Sequence, residues 1–171
     1  NPIQKLMKAS GDRPSQLVLG ILSDPKTFNA ALSQESPNIF GETYEGLLGN
    51  DGLTGELEPA LAESLPEISE DKLRITFTLK PDLKWSDGEP LTIDDVVFTF
   101  QDIYLNEKIP ASLRDILRIG ETGALPTVKK LDDRRVEFTL PEPFSPILRA
   151  LSASILPEHS LRKYVEAIDT K

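Results

Sequence analysis

Leu83-Lys84-Trp85-Ser86-Asp87-Gly88-Glu89-Pro90-Leu91-Thr92-Ile93-Asp94-Asp95-Val96-Val97-Phe98-Thr99-Phe100 runs a strand end, a tight turn and a helix start together without a break. Ser86-Asp87-Gly88 reads as the turn, because Asp bonds the backbone two residues on and Gly accepts φ > 0. Thr92 stands where an N-cap is wanted, and Asp95 takes the capping-box position three residues later. Asp94 and Asp95 put negative charge in the first helical turn, where the macrodipole favours it. Ile93, Val96, Val97, Phe100, Ile103 and Tyr104 then recur at helical spacing and mark a buried face. Read physically, the stretch is strand, turn and helix, with no reactive chemistry in it.

Upstream of it, Leu73, Ile75, Phe77 and Leu79 alternate with Arg74, Thr76, Thr78 and Lys80, the pattern of a half-buried strand. Residues 66–69 and 83–85 make two briefer strand candidates. Ser36-Pro37 reads as N-cap and first residue of a helix whose apolar face is Ile39, Phe40, Thr43, Tyr44 and Leu47. Gly49-Asn50-Asp51-Gly52 would end that helix. Leu17-Val18-Leu19-Gly20-Ile21-Leu22 is a short apolar run of the buried-strand type, stopping at Ser23-Asp24-Pro25. Residues 1–16 are polar and read as a tether with some helical character at 3–7.

Downstream, residues 112–119 offer a short helix. Residues 126–131 and 135–140 flank Asp132-Asp133-Arg134 as a hairpin, with Val136, Phe138 and Leu140 inward. Ser145-Pro146 opens a short helix through Leu151. A last amphipathic helix turns Leu161, Tyr164, Val165 and Ile168 inward. The fold class is α+β, a small and mostly antiparallel sheet with flanking helices.

Composition narrows the functions. The chain has 171 residues, 39% hydrophobic and 27% charged, as in an ordinary globular domain with a sizeable core. A formal net charge of −9 disfavours nucleic acid or an anionic membrane surface as principal partner. Without cysteine there is no disulfide, no thiolate catalysis and no cysteine-type zinc site. No apolar run approaches the roughly 20 residues of a membrane helix. Asn1 in place of Met suggests a trimmed chain that has lost a targeting segment. G-x-S-x-G, G-x-x-x-x-G-K-S/T and H-E-x-x-H are all absent, so an enzyme is not expected.

As a string, the opening stretch closely resembles W-S-D-G-x-P-L/V-T-A-x-D-V-V-F, a signature of the extracellular solute-binding proteins of family 5, with Ile93 in place of Ala. Further blocks follow that family in order. Asp24-Pro25-Lys26-Thr27-Phe28-Asn29 is similar to D-P-x-T-L-N-P, with Ala30 for the last proline, and Tyr44-Glu45-Gly46-Leu47-Leu48 to Y-E-G-L-L. Leu57-Glu58-Pro59-Ala60-Leu61-Ala62-Glu63-Ser64 resembles L-x-P-x-L-A-E-S-W, with Leu65 for Trp. Ile75-Thr76-Phe77-Thr78-Leu79-Lys80 resembles Y-T-F-x-L-R. The run from Asp132 to Leu140 and Ile155-Leu156-Pro157-Glu158-His159 match D-D-x-T-V-x-F-x-L and I-L-P-x-H. Together these blocks cover nearly all of residues 17–164.

The resemblance implies a periplasmic binding protein type 2-like fold, of which this chain would be an N-terminal fragment. Residues 1–16 would be a tether, 17–41 the opening strand and loop of lobe one, 42–155 a small accessory domain and 156–171 the return toward lobe one. The implied role is the substrate-binding component of an ABC importer, with a peptide or other small solute as ligand and a membrane permease as partner. It would work in the periplasm or another extracytoplasmic compartment, soluble or membrane-anchored. The alternatives are a ligand-sensing or structural interaction module, or a receptor for nickel, haem or oligosaccharide. No cofactor and no nucleic acid are implied. The second lobe, which supplies much of the family's ligand contact, would be absent, and residues 17–22 would lack their family neighbours in the lobe-one sheet, so this strand either re-pairs internally or self-associates.

For ligand contact the resemblance points to Leu32, Ser33, Gln34, Glu35 and Ser36, a loop that borders the family's cleft and holds an extended peptide partly by its backbone. Glu35 would pair with a peptide amino terminus. Lys108-Ile109-Pro110-Ala111-Ser112 would approach the same cleft. The remaining candidates have structural readings. Asp94/Asp95 and Asp132/Asp133 sit where caps and turns want Asp, and lone His159 without cysteine is a poor metal ligand. Trp85, the single tryptophan, reads as a core anchor rather than a ligand-stacking ring.

Overall fold

The computed structural model describes Asp24, Thr27, residues 29–32, Phe40, Gly41 and residues 43–169. The expected tether, the expected strand at 17–22 and the Ser36-Pro37 helix start lie outside the described residues.

Two antiparallel sheets form from short strands. The smaller pairs β1 (Leu48–Asn50) with β2 (Leu57–Pro59). The larger has the order β3-β4-β6-β5, from β3 (Glu67–Ile68), β4 (Arg74–Thr78), β6 (Arg135–Thr139) and β5 (Thr127–Lys130). The alternation in β4 and β6 puts Ile75, Phe77, Val136 and Phe138 on one face, and the register sets Ile75 opposite Phe138 and Phe77 opposite Val136. Against this face lie α1 (Ile93–Val97) and a π-helical continuation, Phe98–Tyr104. Phe77 and Phe100 each meet the Phe138 ring edge to face, at centroid distances of 6.0 and 4.9 Å. Each such buried ring contributes about 2–3 kcal/mol from area alone.

Three short helical elements complete the fold: α2 (Leu113–Ile116), α3 (Ile147–Ala150) and the longer α4 (Glu158–Asp169). Gly46 lies so close to residues 152–153 that a Cβ there would stand 2.1 Å from the Ser152 carbonyl oxygen. Beside this contact, the Ile155 N–H donates to the Glu45 carbonyl at 2.9 Å.

The structure corrects several expectations. No helix runs through residues 43–48; the Thr43 and Tyr44 N–H groups both donate to the Phe40 carbonyl, as in a turn, and Leu48 begins β1. Leu47 and Leu48 are fully buried, Leu47 in a bend and Leu48 in the strand it leads into, a case where tertiary packing decides an ambiguous short apolar run. Residues 83–85 make only an isolated bridge, Lys84 opposite Pro90. Ser145 forms no side-chain cap on α3, which starts at Ile147. Helical spacing after Thr92 holds as α-helix only to Val97. There the buried Thr99 hydroxyl donates to the Asp95 carbonyl at 2.7 Å, the acceptor an α-helix would reserve for the Thr99 N–H. Beyond that point the backbone bonds span five residues instead of four, as in Leu105 N–H to the Phe100 carbonyl at 2.8 Å.

Candidate functional site

The signature stretch is where distant parts of the chain are tied together. Thr92 caps α1, its hydroxyl accepting from the Asp94 N–H at 3.2 Å, while Asp95 Oδ2 accepts from the Thr92 N–H at 2.8 Å. The other Asp95 oxygen accepts from the Glu158 N–H at 2.9 Å, so one buried carboxylate serves the first turns of both α1 and α4. Four residues on, the Thr99 hydroxyl accepts from the Leu156 N–H at 2.9 Å. His159 Nε2 donates to Asp87 Oδ2 at 2.8 Å and its ring lies 6.4 Å from that of Trp85. This hydrogen bond, followed by one from the Glu89 N–H, holds the Asp87 carboxyl below its ordinary value. The W-S-D-G and I-L-P-x-H blocks, far apart in sequence, thus form one junction.

Beside a small hollow lined by Thr92, Asp95, Glu158 and His159, two larger concavities lie near this junction. The first, about 640 Å³, is lined by Tyr44, Glu45, Lys84, Trp85, Asp87, His159 and neighbours. Trp85 is half-buried and packs on the core, as an anchor should, although its Nε1 is buried without a hydrogen-bond partner. The second, about 440 Å³, is an apolar groove between α4, the end of the π-helix and two loops. Its lining includes Leu32, Ile103, Ile109, Leu161, Val165 and, against expectation, Tyr164 and Ile168. These last two are 61% and 41% exposed rather than inward. With Val165 buried and Leu161 half-buried, the α4 stripe is wider than the core that receives it.

Of the loop expected to meet ligand, Leu32 is described and stands on the rim of this groove; Ser33, Gln34, Glu35 and Ser36 lie outside the described residues. Lys108, Ile109 and Pro110 line the same groove as Leu32, the one described residue of the expected loop. Their positions are held locally. Asn29 Oδ1 accepts from the Ala31 N–H, and the Arg114 guanidinium donates to the carbonyls of Asn106 and Ile109. Ile103, Tyr164 and Ile168 were missed as groove residues, since a helical apolar stripe carries no mark of whether its partner is present.

The carboxylate pairs keep their structural readings. Asp132 Oδ1 accepts from the Arg134 and Arg135 N–H groups and its Oδ2 meets Arg135 Nε at 2.7 Å, which holds its carboxyl low. Asp94 pairs with Lys130 at 2.8 Å and raises the lysine. Among the described residues, no three His, Asp or Glu side chains come together as metal ligands. No described helix is long and apolar enough to cross a membrane.

Residues 56–170 match the family model "Bacterial extracellular solute-binding proteins, family 5 Middle". Protein XP55 of Streptomyces lividans is 36% identical over 143 residues, which cover 84% of this chain and 25% of that protein. The periplasmic oligopeptide-binding protein OppA of Escherichia coli is 34% identical, over 75% of this chain and 26% of its own length. Among solved structures, NikZ from Campylobacter jejuni in complex with Ni(L-His) superposes with a TM-score of 0.71 at 29% identity, over 83% of this chain and 27% of that one. The chain spans about a quarter of the length of the relatives it matches. Seven ordered sequence blocks, the match over residues 56–170 and the shared fold have one common explanation: the chain belongs to family 5 of the bacterial extracellular solute-binding proteins.

Proposed function

We propose that this chain is part of the substrate-binding receptor of an ABC importer, working outside the cytoplasmic membrane with a peptide as its ligand. The observation that carries the reading is the family match over residues 56–170. Kinship with an oligopeptide-binding protein at 34% identity favours peptide over the other ligands of the family. In this reading residues 42–155 are the accessory domain, 17–41 open lobe one and 156–171 return to it. Leu32 to Ser36 is this chain's share of the ligand cleft, with Glu35 facing the peptide's amino terminus. The closeness of Leu32 to Lys108, Ile109 and Pro110 supports a cleft edge built from both segments. Main-chain recognition suits a receptor for many sequences, because every peptide offers the same N–H and C=O groups. Two lobes closing by a hinge would then present the liganded form to a membrane permease.

Calorimetric titration tests this, with the chain alone and with a longer protein that contains it and a second lobe. The titrant is a mixed pool of di- to penta-peptides. Heat from the longer protein and none from the chain is expected. Silence from both overturns the peptide assignment, and titration with nickel–histidine or oligosaccharide then decides between the remaining ligands.

A further inference from the structure

His159 is the only histidine in the sequence, and it stands where the first turn of α4 meets the Ser86-Asp87-Gly88 turn, 72 residues away. That turn is shaped by its own backbone. The Trp85 N–H donates to the Glu89 carbonyl at 2.8 Å, the Gly88 N–H donates to the Trp85 carbonyl at 3.0 Å, and Gly88 takes a φ of +95°. The Glu89 N–H fixes Asp87 Oδ1, which leaves Oδ2 for the imidazole, 2.8 Å from Nε2. An ionised carboxylate only accepts, so Nε2 carries the hydrogen of the neutral ring. A proton taken up in acid then goes to Nδ1, and the bond to Asp87 survives it.

We infer that His159 and Asp87 form a proton-gated clasp, which holds the first turn of α4 to the signature turn more firmly in mild acid than at neutral pH. Histidine changes charge between about pH 5 and 8, and a bond between two ions is about twice as strong as a neutral one. Asp87, held below its ordinary value, stays ionised throughout that range. The other charges near the ring are named by the hollows it lines. Glu45, Lys84 and the Tyr44 phenol share the larger one with it, and Glu89 and Asp95 the smaller. On α4 itself, Glu158 and Arg162 pair with each other at 2.7 Å, and Lys163 lies over the Tyr164 ring at 4.9 Å. Lys84 and the positive end of α4 oppose an imidazolium, whereas Asp87 alone is in hydrogen-bond contact with it. The two side chains are 35% and 53% exposed, so protons reach the pair from solvent and screening limits the gain to about threefold. Where residues 156–171 return to lobe one, as proposed above, acid stiffens that path; the clasp itself needs neither the path nor a ligand.

Amide exchange of the chain at about pH 7.5 and about pH 5.5, each rate divided by the intrinsic rate at that pH, tests the clasp. Protection should rise about threefold in acid at Glu158, whose N–H meets Asp95, and at Leu161, whose N–H meets the Pro157 carbonyl. His159→Gln still offers Asp87 an N–H but takes up no proton, so its protection should be the same at both pH values. Asp87→Asn leaves the imidazolium facing the α4 N-terminus without its carboxylate, so the rise should vanish or reverse. Circular dichroism checks that each variant folds, and either variant is decisive alone. Equal protection at the two pH values in the unaltered chain overturns the clasp, as does a rise that persists in either folded variant.

Discussion

Asp95 is 4% exposed and has both carboxylate oxygens engaged, one by the Thr92 N–H in its own helix and one by the Glu158 N–H of α4. Charge-assisted bonds of this kind, placed at helix N-termini, are worth more than neutral ones. Asp95→Ala removes both of these bonds and leaves two part-buried N–H donors unpaired, while the Thr92 hydroxyl still caps α1, so it should destabilise the fold by about 2–4 kcal/mol. Urea unfolding checks this, and a loss under about 0.5 kcal/mol would show that water replaces both bonds. Its neighbour Asp94 gives a contrast, because its lysine partner is exposed and screened, so Asp94→Ala should cost only about 0.5 kcal/mol. Half of Asp95's role was legible: the capping box depends on a residue three positions away. The bond to Glu158 joins residues 63 apart, and no local pattern announces it.

At the scale of elements, β4, the hairpin of β5 and β6 and the α1 start all follow from alternation, turn residues and caps. The β1–β2 pair does not. Leu47-Leu48 next to Gly49 suits the end of a helix or the start of a strand equally, and pairing with Leu57–Pro59 decides for the strand. Gly46 is required there by space. A methyl group would meet the Ser152 carbonyl carbon at 2.7 Å as well as its oxygen, and neither is the movable end of a side chain. Gly46→Ala should therefore cost about 2–3 kcal/mol by forcing residues 45–47 off residues 152–155. Amide exchange at Ile155, whose N–H bonds Glu45, should rise with it. Unchanged exchange at that amide would show that the strand adjusts without losing the contact.

Across the whole molecule, the core is one cluster reaching from Leu47 to Val165, closed by rings on the sheet and by Tyr104, whose hydroxyl donates to the Ser154 carbonyl at 2.8 Å. Burial pushes the Tyr104 phenol well above its ordinary value, which keeps it a donor at any ordinary pH. The surface has the opposite bias. Asp51, Asp71, Asp87 and Asp132 are all held below the ordinary 3.8, first by bonds from the Thr54 N–H, the Ser69 hydroxyl, His159 and the Arg134 N–H respectively. Below 3.8 the unfolded chain binds more protons than the native one, so this stability is complete above that pH and declines as pH falls through the lowered values. The urea midpoint should be level at about pH 5–6 and drop steadily below about pH 4. A double variant, Asp87→Asn with Asp132→Asn, should flatten that limb, and a limb of unchanged slope would place the titration elsewhere.

By itself the sequence determined the turns, the capping box, the alternating strands and the α+β class, and its ordered blocks pointed to the family. All of these are set by residues within a few positions of one another, where backbone geometry and short-range hydrogen bonds decide the outcome. Only the tertiary structure decided that Asp95, Thr99 and His159 join the two signature blocks, that residues 48–50 form a strand, and that Tyr164 and Ile168 stand at an open groove. Those features depend on which distant surface arrives opposite, and a hydrophobic stripe looks the same whether or not its partner has come.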